Sequence, residues 1–131
     1  MTRQIVNDMA ESNNISIINY PFKNIKACSI EHDRQLYIGI NEKLLETTAE
    51  RTTATIHELG HCMTGALYSA DTPLYLQARC ERRANVWAIK HFVPKETLQC
   101  YLRECYRMDE IAELLGVTEE FLWQAYYYYF R

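Results

Sequence analysis

Residues 55–63, TIHELGHCM, constrain the fold and chemistry of this chain more than any other stretch, because they contain the pattern HExxH. Its three defining residues are His57, Glu58 and His61. Side chains four residues apart lie one turn above each other on an α-helix, so the two imidazoles are able to bind one metal ion. A carboxylate at Glu58 is placed to take a proton from an attacking water without itself being a ligand. The stretch therefore predicts a helix that carries a zinc site.

Length and composition predict one ordinary globular domain over residues 1–131. A chain of this length buries about two thirds of its unfolded surface in a single core. Apolar residues make up 48% and charged residues 24%, and the three Pro and four Gly form no linker-like stretch. Residues 1–14 contain no long apolar run, and nowhere do eighteen apolar residues follow one another. We therefore expect a cytoplasmic protein that neither spans nor binds a membrane.

Five cysteines form no CxxC pair, and their odd number cannot close a disulfide framework, so we expect reduced thiols. Cys62 and Cys80 each adjoin a predicted metal ligand. Neighbours on a helix point about 100° apart, which argues against either thiol as a ligand. The net charge of -3 gives no general attraction for nucleic acid.

The pattern of apolar and turn residues predicts an α+β fold that is mainly helical. A short helix over residues 3–11 precedes three β-rich segments, residues 15–18, 25–30 and 35–40, which predict a three-stranded sheet. Residues 31–34 are short enough for a hairpin loop, and His32 in that loop is interpreted as a solvated side chain. We expect a zincin-like active-site helix to begin at a capping box over residues 47–50.

A second long helix, over about residues 73–92, is predicted after the motif helix, with Thr72 as its cap and Pro73 in its first position. Its inward-facing row is expected to contain Leu74, Ala78, Glu81, Asn85, Ala88 and Phe92. Three further amphipathic helices are predicted beyond Pro94, the second ending at Gly116 and the third capped by Thr118. The terminal tyrosine run, residues 126–130, leaves both simple packing and a partner or dimer contact open.

Glu81 is out of place on an inward-facing row, since an unpaired buried carboxylate costs several kcal/mol. A zinc ion held by His57 and His61 is its simplest partner, and Asn85 one turn on is placed to orient a ligand or the water. The alternative is an ordinary surface pair between Glu81 and an arginine of the same helix, one of Arg79, Arg82 and Arg83.

Other candidates for a third ligand fit the pattern less well than Glu81. The metzincin spacing needs a glycine and a histidine where this chain has Thr64 and Leu67. Asp71 lies in a predicted loop and has a shorter reach, while His91 projects about 80° away from Glu81 on the helix. The predicted zinc ligands are therefore His57, His61 and Glu81.

Both motifs together resemble those of the ImmA/IrrE family of small zinc metallopeptidases, in which HELGH is followed by a helix reading ExxANxFAxxLLMP. The residues in register with the second motif are Glu81, Ala84, Asn85, Ala88 and Pro94. Trp87 replaces the usual aromatic residue, and residues 91–93 replace the apolar triplet before the proline. The resemblance implies a cytoplasmic gluzincin-like protease. It also implies a protein substrate, a helix-turn-helix repressor whose cleavage relieves repression on phages or other mobile elements.

The leading hypothesis is a zinc endopeptidase in which Glu58 acts as the general base. The strand at residues 35–40 is expected to receive an extended substrate if it lies at the sheet edge. No residue that stabilises the oxyanion is identifiable, and Tyr68 and Tyr75 are interpreted as structural. Neither the activating signal nor the oligomeric state follows from the sequence.

A rival hypothesis from another class is a non-catalytic transcription regulator, because residues 108–131 have the pattern of a helix-turn-helix. Five acidic residues and one basic residue give this segment a net charge of -4. Glu119 and Glu120 stand where a recognition helix would approach phosphates, so we expect no direct contact with nucleic acid.

Overall fold

A helix and a small mixed sheet form the first third of the chain. The computed structural model describes residues 2–131, and the elements of this part are α1 (Thr2–Ser12), β1 (Ile15–Asn19), β2 (Ala27–His32) and β3 (Gln35–Ile40). The strand order is β1-β3-β2, with β1 parallel and β2 antiparallel to β3. The predicted three-stranded sheet is therefore confirmed.

The β2–β3 hairpin turns over two residues and not over the four expected from the sequence. Asp33 and Arg34 have φ values of 50° and 65°, the left-handed conformation that a two-residue hairpin loop requires. His32 consequently pairs with Gln35 at the end of the ladder. Its side chain remains exposed, as the interpretation of a solvated histidine requires.

The central strand of the sheet is β3, so residues 35–40 do not meet the condition of an edge position under which they were expected to receive a substrate. Strand β1 pairs in parallel with one side of β3, and β2 pairs through the hairpin with the other side. Ile38 and Ile40 on β3 are buried in the core, and Gly39 between them is buried as well. An edge position falls instead to β2, the strand next to the motif helix.

Helices make up the rest of the chain after a 3-10 turn at Glu42–Leu44. They are α2 (Thr48–Thr64), α3 (Leu74–Phe92), α4 (Lys95–Arg103), α5 (Met108–Leu115) and α6 (Glu119–Phe130). Thr47 caps α2 by accepting from the Glu50 N–H at 3.1 Å. The Glu50 carboxylate accepts from the N–H of Glu46 and not from that of Thr47, so half of the predicted capping box is present. Gly65, with a φ of 69°, ends α2.

The inward-facing row predicted for α3 is correct from Glu81 onwards and wrong before it, where Leu74 and Ala78 are exposed. Leu74 is 81% exposed, because no apolar layer covers the first turn of this helix. Ala88 and Phe92 are buried. Pro73 occupies the cap position itself, and the Thr72 hydroxyl accepts from Ser69 in the preceding loop.

The close approach of α2 to α3 fixes the distance between the two predicted metal-binding segments. A Cβ atom at Gly60 would overlap the backbone carbonyl of Ala84. Only glycine permits this approach, and Ile56 and Leu59 of α2 are fully buried beside it. The C-terminal helices complete the same core with Ile111, Phe121, Leu122 and Ala125. No helix among the described residues is long and apolar enough to span a bilayer.

Candidate metal centre and its cleft

His57, His61 and Glu81 meet at the interface between α2 and α3. The Nε2 atoms of the two histidines lie 3.2 Å apart. Each lies 2.8 Å from one carboxylate oxygen of Glu81. One potential ligand atom from each residue falls within 4.8 Å of the others. The helical spacing of four aligns the histidines, and the packing of α3 supplies the carboxylate.

The orientation of His61 leaves one ring nitrogen for a metal ion. Its Nδ1 lies 2.7 Å from the backbone carbonyl of Ala66 and is placed to donate a proton there. Nε2 then faces an oxygen of Glu81 and the Nε2 of His57. A cation between these atoms would be held by two imidazole nitrogens and a carboxylate oxygen. Two ligands of a tetrahedral zinc lie about 3.3 Å apart for bonds of about 2.05 Å, close to the 3.2 Å between the two Nε2 atoms, whereas the 2.8 Å separations from Glu81 are hydrogen-bond distances.

Glu81 remains a carboxylate at neutral pH. Burial raises its pKa, but the hydrogen bonds from Tyr68 and His57 and the charges of the two histidines outweigh this and lower the pKa below its usual range. The Tyr68 hydroxyl donates to Oε2 of Glu81 at 2.8 Å. This hydrogen bond raises the pKa of Tyr68 to about 12. Tyr68 therefore holds the Glu81 carboxylate in place. From the sequence, Tyr68 is interpreted as structural, and this contact is not predicted.

Glu58 is positioned by a residue of the edge strand. The Ser29 hydroxyl on β2 lies 2.6 Å from Oε1 of Glu58 and 3.0 Å from its backbone carbonyl. A hydroxyl has one proton, and the shorter contact shows that it is donated to the carboxylate. Glu58 therefore lies beside the ligands while its carboxylate points towards β2. No pattern in the sequence predicts a role for Ser29, because the contact depends on how β2 packs against α2.

An open cleft runs past the cluster and exposes it to solvent. One part, of about 910 Å³, lies between β2 and the loop after α2, and another, of about 790 Å³, lies between α2 and the start of α6. His57 and Glu58 line both parts. Because a polypeptide needs an open groove to reach the ligands, this shape accommodates an extended chain.

The remaining candidates from the sequence lie outside the cluster. Cys62 is buried, and the five cysteines are free thiols. His91 stacks on Trp87 at 4.2 Å between ring centroids. Asn85 lines the cleft but, within residues 2–131, makes no hydrogen bond to a ligand. Asp71 stays in the loop before α3, and no metal cluster of the described residues includes it.

Taken together, the helix pair brings two histidines of one helix and a carboxylate of the next within reach of one metal ion. The Peptidase_M78 family, described as the IrrE N-terminal-like domain, matches residues 10–125. The chain belongs to this family, which confirms the resemblance drawn from the two motifs. Membership supports a metallopeptidase-type function and a bound metal.

The family match covers the sheet, both metal-site helices and most of the C-terminal helices. No curated protein and no solved structure gave a significant match to the chain.

Proposed function

We propose that this protein is a gluzincin-like zinc endopeptidase, with His57, His61 and Glu81 as the metal ligands. The observation that carries the proposal is the convergence of these three side chains in an open cleft with Glu58 beside them. Two imidazole nitrogens and one carboxylate oxygen suit zinc, and this donor set leaves a coordination position for water or substrate.

When bound, the zinc would supply Lewis-acid polarisation of the scissile carbonyl and lower the pKa of a water molecule towards 7. Glu58 then accepts a proton from the attacking water and passes it to the leaving amine. Ser29 holds the Glu58 carboxylate at the wall of the cleft through their 2.6 Å contact. Tyr68 fixes the Glu81 carboxylate, and the Ala66 carbonyl fixes the ring of His61.

The edge strand β2 is the element suited to align a substrate. Ala27, Cys28, Ser29, Ile30 and Glu31 of this strand line the cleft together with Glu58 and His61. Adjacent residues of a strand point to opposite faces, so a cavity on one face of the sheet would be lined by every second residue only. A cavity lined by five successive residues therefore follows the edge of the sheet. An extended peptide paired with this edge would pass directly beside the metal ligands.

The substrate we propose is a helix-turn-helix repressor cut at one or a few sites. This step rests on the family resemblance, since ImmA/IrrE proteins relieve repression in this way. The acidic surface of the last two helices, where Glu119 and Glu120 are exposed, suits a basic DNA-binding partner because opposite potentials raise encounter rates. An adjacent gene for such a repressor would narrow the substrate further.

Incubation of the zinc-loaded protein with its genetically adjacent repressor and with casein tests this proposal. We expect cleavage of the repressor alone, and no cleavage by Glu58→Gln. Rapid digestion of casein with an intact repressor would overturn the repressor as substrate.

Direct DNA binding remains the alternative to test in the same preparation. The predicted helix-turn-helix corresponds to α5, the turn at Gly116 and α6. The buried face of α6 packs into the core, and its first turn carries Glu119 and Glu120. This charge disfavours phosphate contact. A fluorescence titration with duplex DNA at low salt is expected to show no saturable binding.

A further inference from the structure

The cleft that passes the metal position differs in chemistry between its two parts. The part between β2 and the loop after α2 is mainly apolar and is lined by Ile25, Ile30, Leu67, Tyr68 and Ala70. Ile25, Ile30 and Tyr68 are among the large side chains that remain exposed. Apolar side chains gathered in an open groove favour a large apolar ligand group.

Polar and charged side chains line the other part of the cleft. They include Asn24, Lys26, Glu50, Thr53, Asn85, Thr118, Glu120 and Gln124. The Glu50 carboxylate already accepts from the N–H of Glu46. Among the described residues, Glu120 makes neither a hydrogen bond nor an ion pair through its side chain, and it is exposed. It is therefore the carboxylate of this part that is free to meet a ligand.

The position of Glu120 is fixed by a contact between α6 and the metal-binding helix. The backbone N–H of Thr118 donates to the hydroxyl of Thr53 on α2 at 3.0 Å. Thr118 also caps α6, and Phe121 in the same first turn is buried. The first turn of α6 is thereby held at the rim of the cleft. The second helix of the predicted helix-turn-helix, α6, therefore forms one wall of the cleft.

We propose that the cleft selects a substrate segment with a large apolar residue on one side of the scissile bond and a basic residue on the other. Ile30 and its apolar neighbours bind the first residue, and Glu120 binds the second. This inference rests on the proposed peptidase function, because both parts of the cleft are defined by their position relative to His57 and Glu58. It names Glu120 as a specificity residue that contacts substrate, not as part of the catalytic machinery.

Binding to the zinc-loaded Glu58→Gln variant tests the preference without requiring turnover. The probes are short fluorescent alanine-based peptides with Leu or Asp at one position and Lys or Glu at a second. Each peptide is made with the first position N-terminal to the second and with the two positions exchanged. In one of these two orders, we expect the Leu peptide to bind about tenfold tighter than the Asp peptide, because one apolar side chain is buried. We expect Lys to bind about threefold tighter than Glu, the effect of one exposed ion pair.

Charge reversal at Glu120 provides the decisive variant. Glu120→Lys is expected to reverse the preference between Lys and Glu peptides, whereas Glu119→Lys is the matched control. Glu119 is exposed on the same turn, but it does not line the cleft. An unchanged preference in Glu120→Lys, or the same reversal in both variants, would overturn the assignment of Glu120.

The apolar part is tested with an equally matched pair. Ile30 on β2 and Ile18 on β1 are 42% and 41% exposed, but Ile30 alone of the two lines the cleft. Ile30→Thr is expected to remove most of the preference for Leu, and Ile18→Thr to retain it. Equal binding of all peptides would contradict the two-sided cleft. Selective binding without cleavage by the wild-type protein would instead contradict the peptidase function and leave the binding preference standing.

Discussion

Glu81 is the residue on which the proposed metal site depends most, because its carboxylate contacts both histidines and also accepts from Tyr68. The sequence predicts its role from one anomaly, a carboxylate on the inward-facing row of an amphipathic helix. The contact with Tyr68 could not be predicted in the same way. It depends on the path of the loop after α2, for which the sequence offers no periodic pattern.

Replacing Glu81 with Ala is expected to remove most of the bound zinc, because the substitution removes one of three protein ligands and the negative charge of the site. Glu58→Gln is the matched variant, since we expect it to keep the metal and lose turnover. Elemental analysis and a peptide-cleavage assay measure the two effects. Identical behaviour of the variants in both assays, or less than about half an equivalent of zinc in the reconstituted wild type, would contradict the assigned roles.

Ser29 is expected to act through the position of Glu58. Removing its hydroxyl in Ser29→Ala deletes a hydrogen bond to a charged group, which is worth about 1.5–3 kcal/mol. We expect kcat to fall about tenfold or more, with little change in KM or zinc content. Ser29→Thr keeps the hydroxyl and suits a strand, so it should retain most of the activity. A similar loss in both variants would indicate a packing effect in place of positioning.

At the scale of elements, the helices were more predictable than the order of the strands. Caps at Thr47 and Thr118 and the helix end at Gly116 are local signals, and the structure contains all three. The strands were located correctly, but only the structure shows that β3 is central and that β1 and β2 are the edges. Strand order depends on how distant segments pack, and alternation within one strand carries no information about its neighbours.

Gly60 tests whether the spacing of α2 and α3 controls the metal site. In an exposed helix, replacing Gly with Ala stabilises by about 1 kcal/mol. Here the added methyl group would overlap the Ala84 carbonyl, so we expect Gly60→Ala to destabilise the protein by about 1–3 kcal/mol. Zinc affinity should fall as well, because the shift separates the histidines from Glu81. Denaturant unfolding and zinc titration measure the two effects, and an increase in stability would contradict the close approach.

At the scale of the whole molecule, the core joins elements from both ends of the chain. Val6 of α1 and Leu122 of α6 are buried in the same cluster as Ile56 of α2. Amphipathic periodicity predicts that such helices bury one side, because the core requires only that each helix present an apolar side. It could not predict that α6 would border the cleft, which follows from the contact between Thr53 and Thr118.

Thiol labelling should report on the opening of this core. Cys62 is 8% exposed, and burial raises its pKa to about 11, while Cys105 is exposed on the surface. At pH 8 we expect Cys105 to react rapidly and Cys62 only when the structure opens, because the thiolate is the reactive form. Peptide mapping after a pulse of alkylating reagent measures both. Similar rates at the two cysteines in the folded protein would show that α2 is not packed as described.

The side of β2 that faces away from β3 also affects the protein when no substrate is bound. Within residues 2–131, no strand pairs with this side, so its backbone groups are as open to another copy of the chain as to a substrate. Exposed charges at Lys26 and Glu31 border this edge and disfavour such pairing. Recognition of an extended peptide and a tendency to self-associate thus have the same origin. We expect specific activity to decline at high protein concentration, as copies begin to occupy one another's clefts.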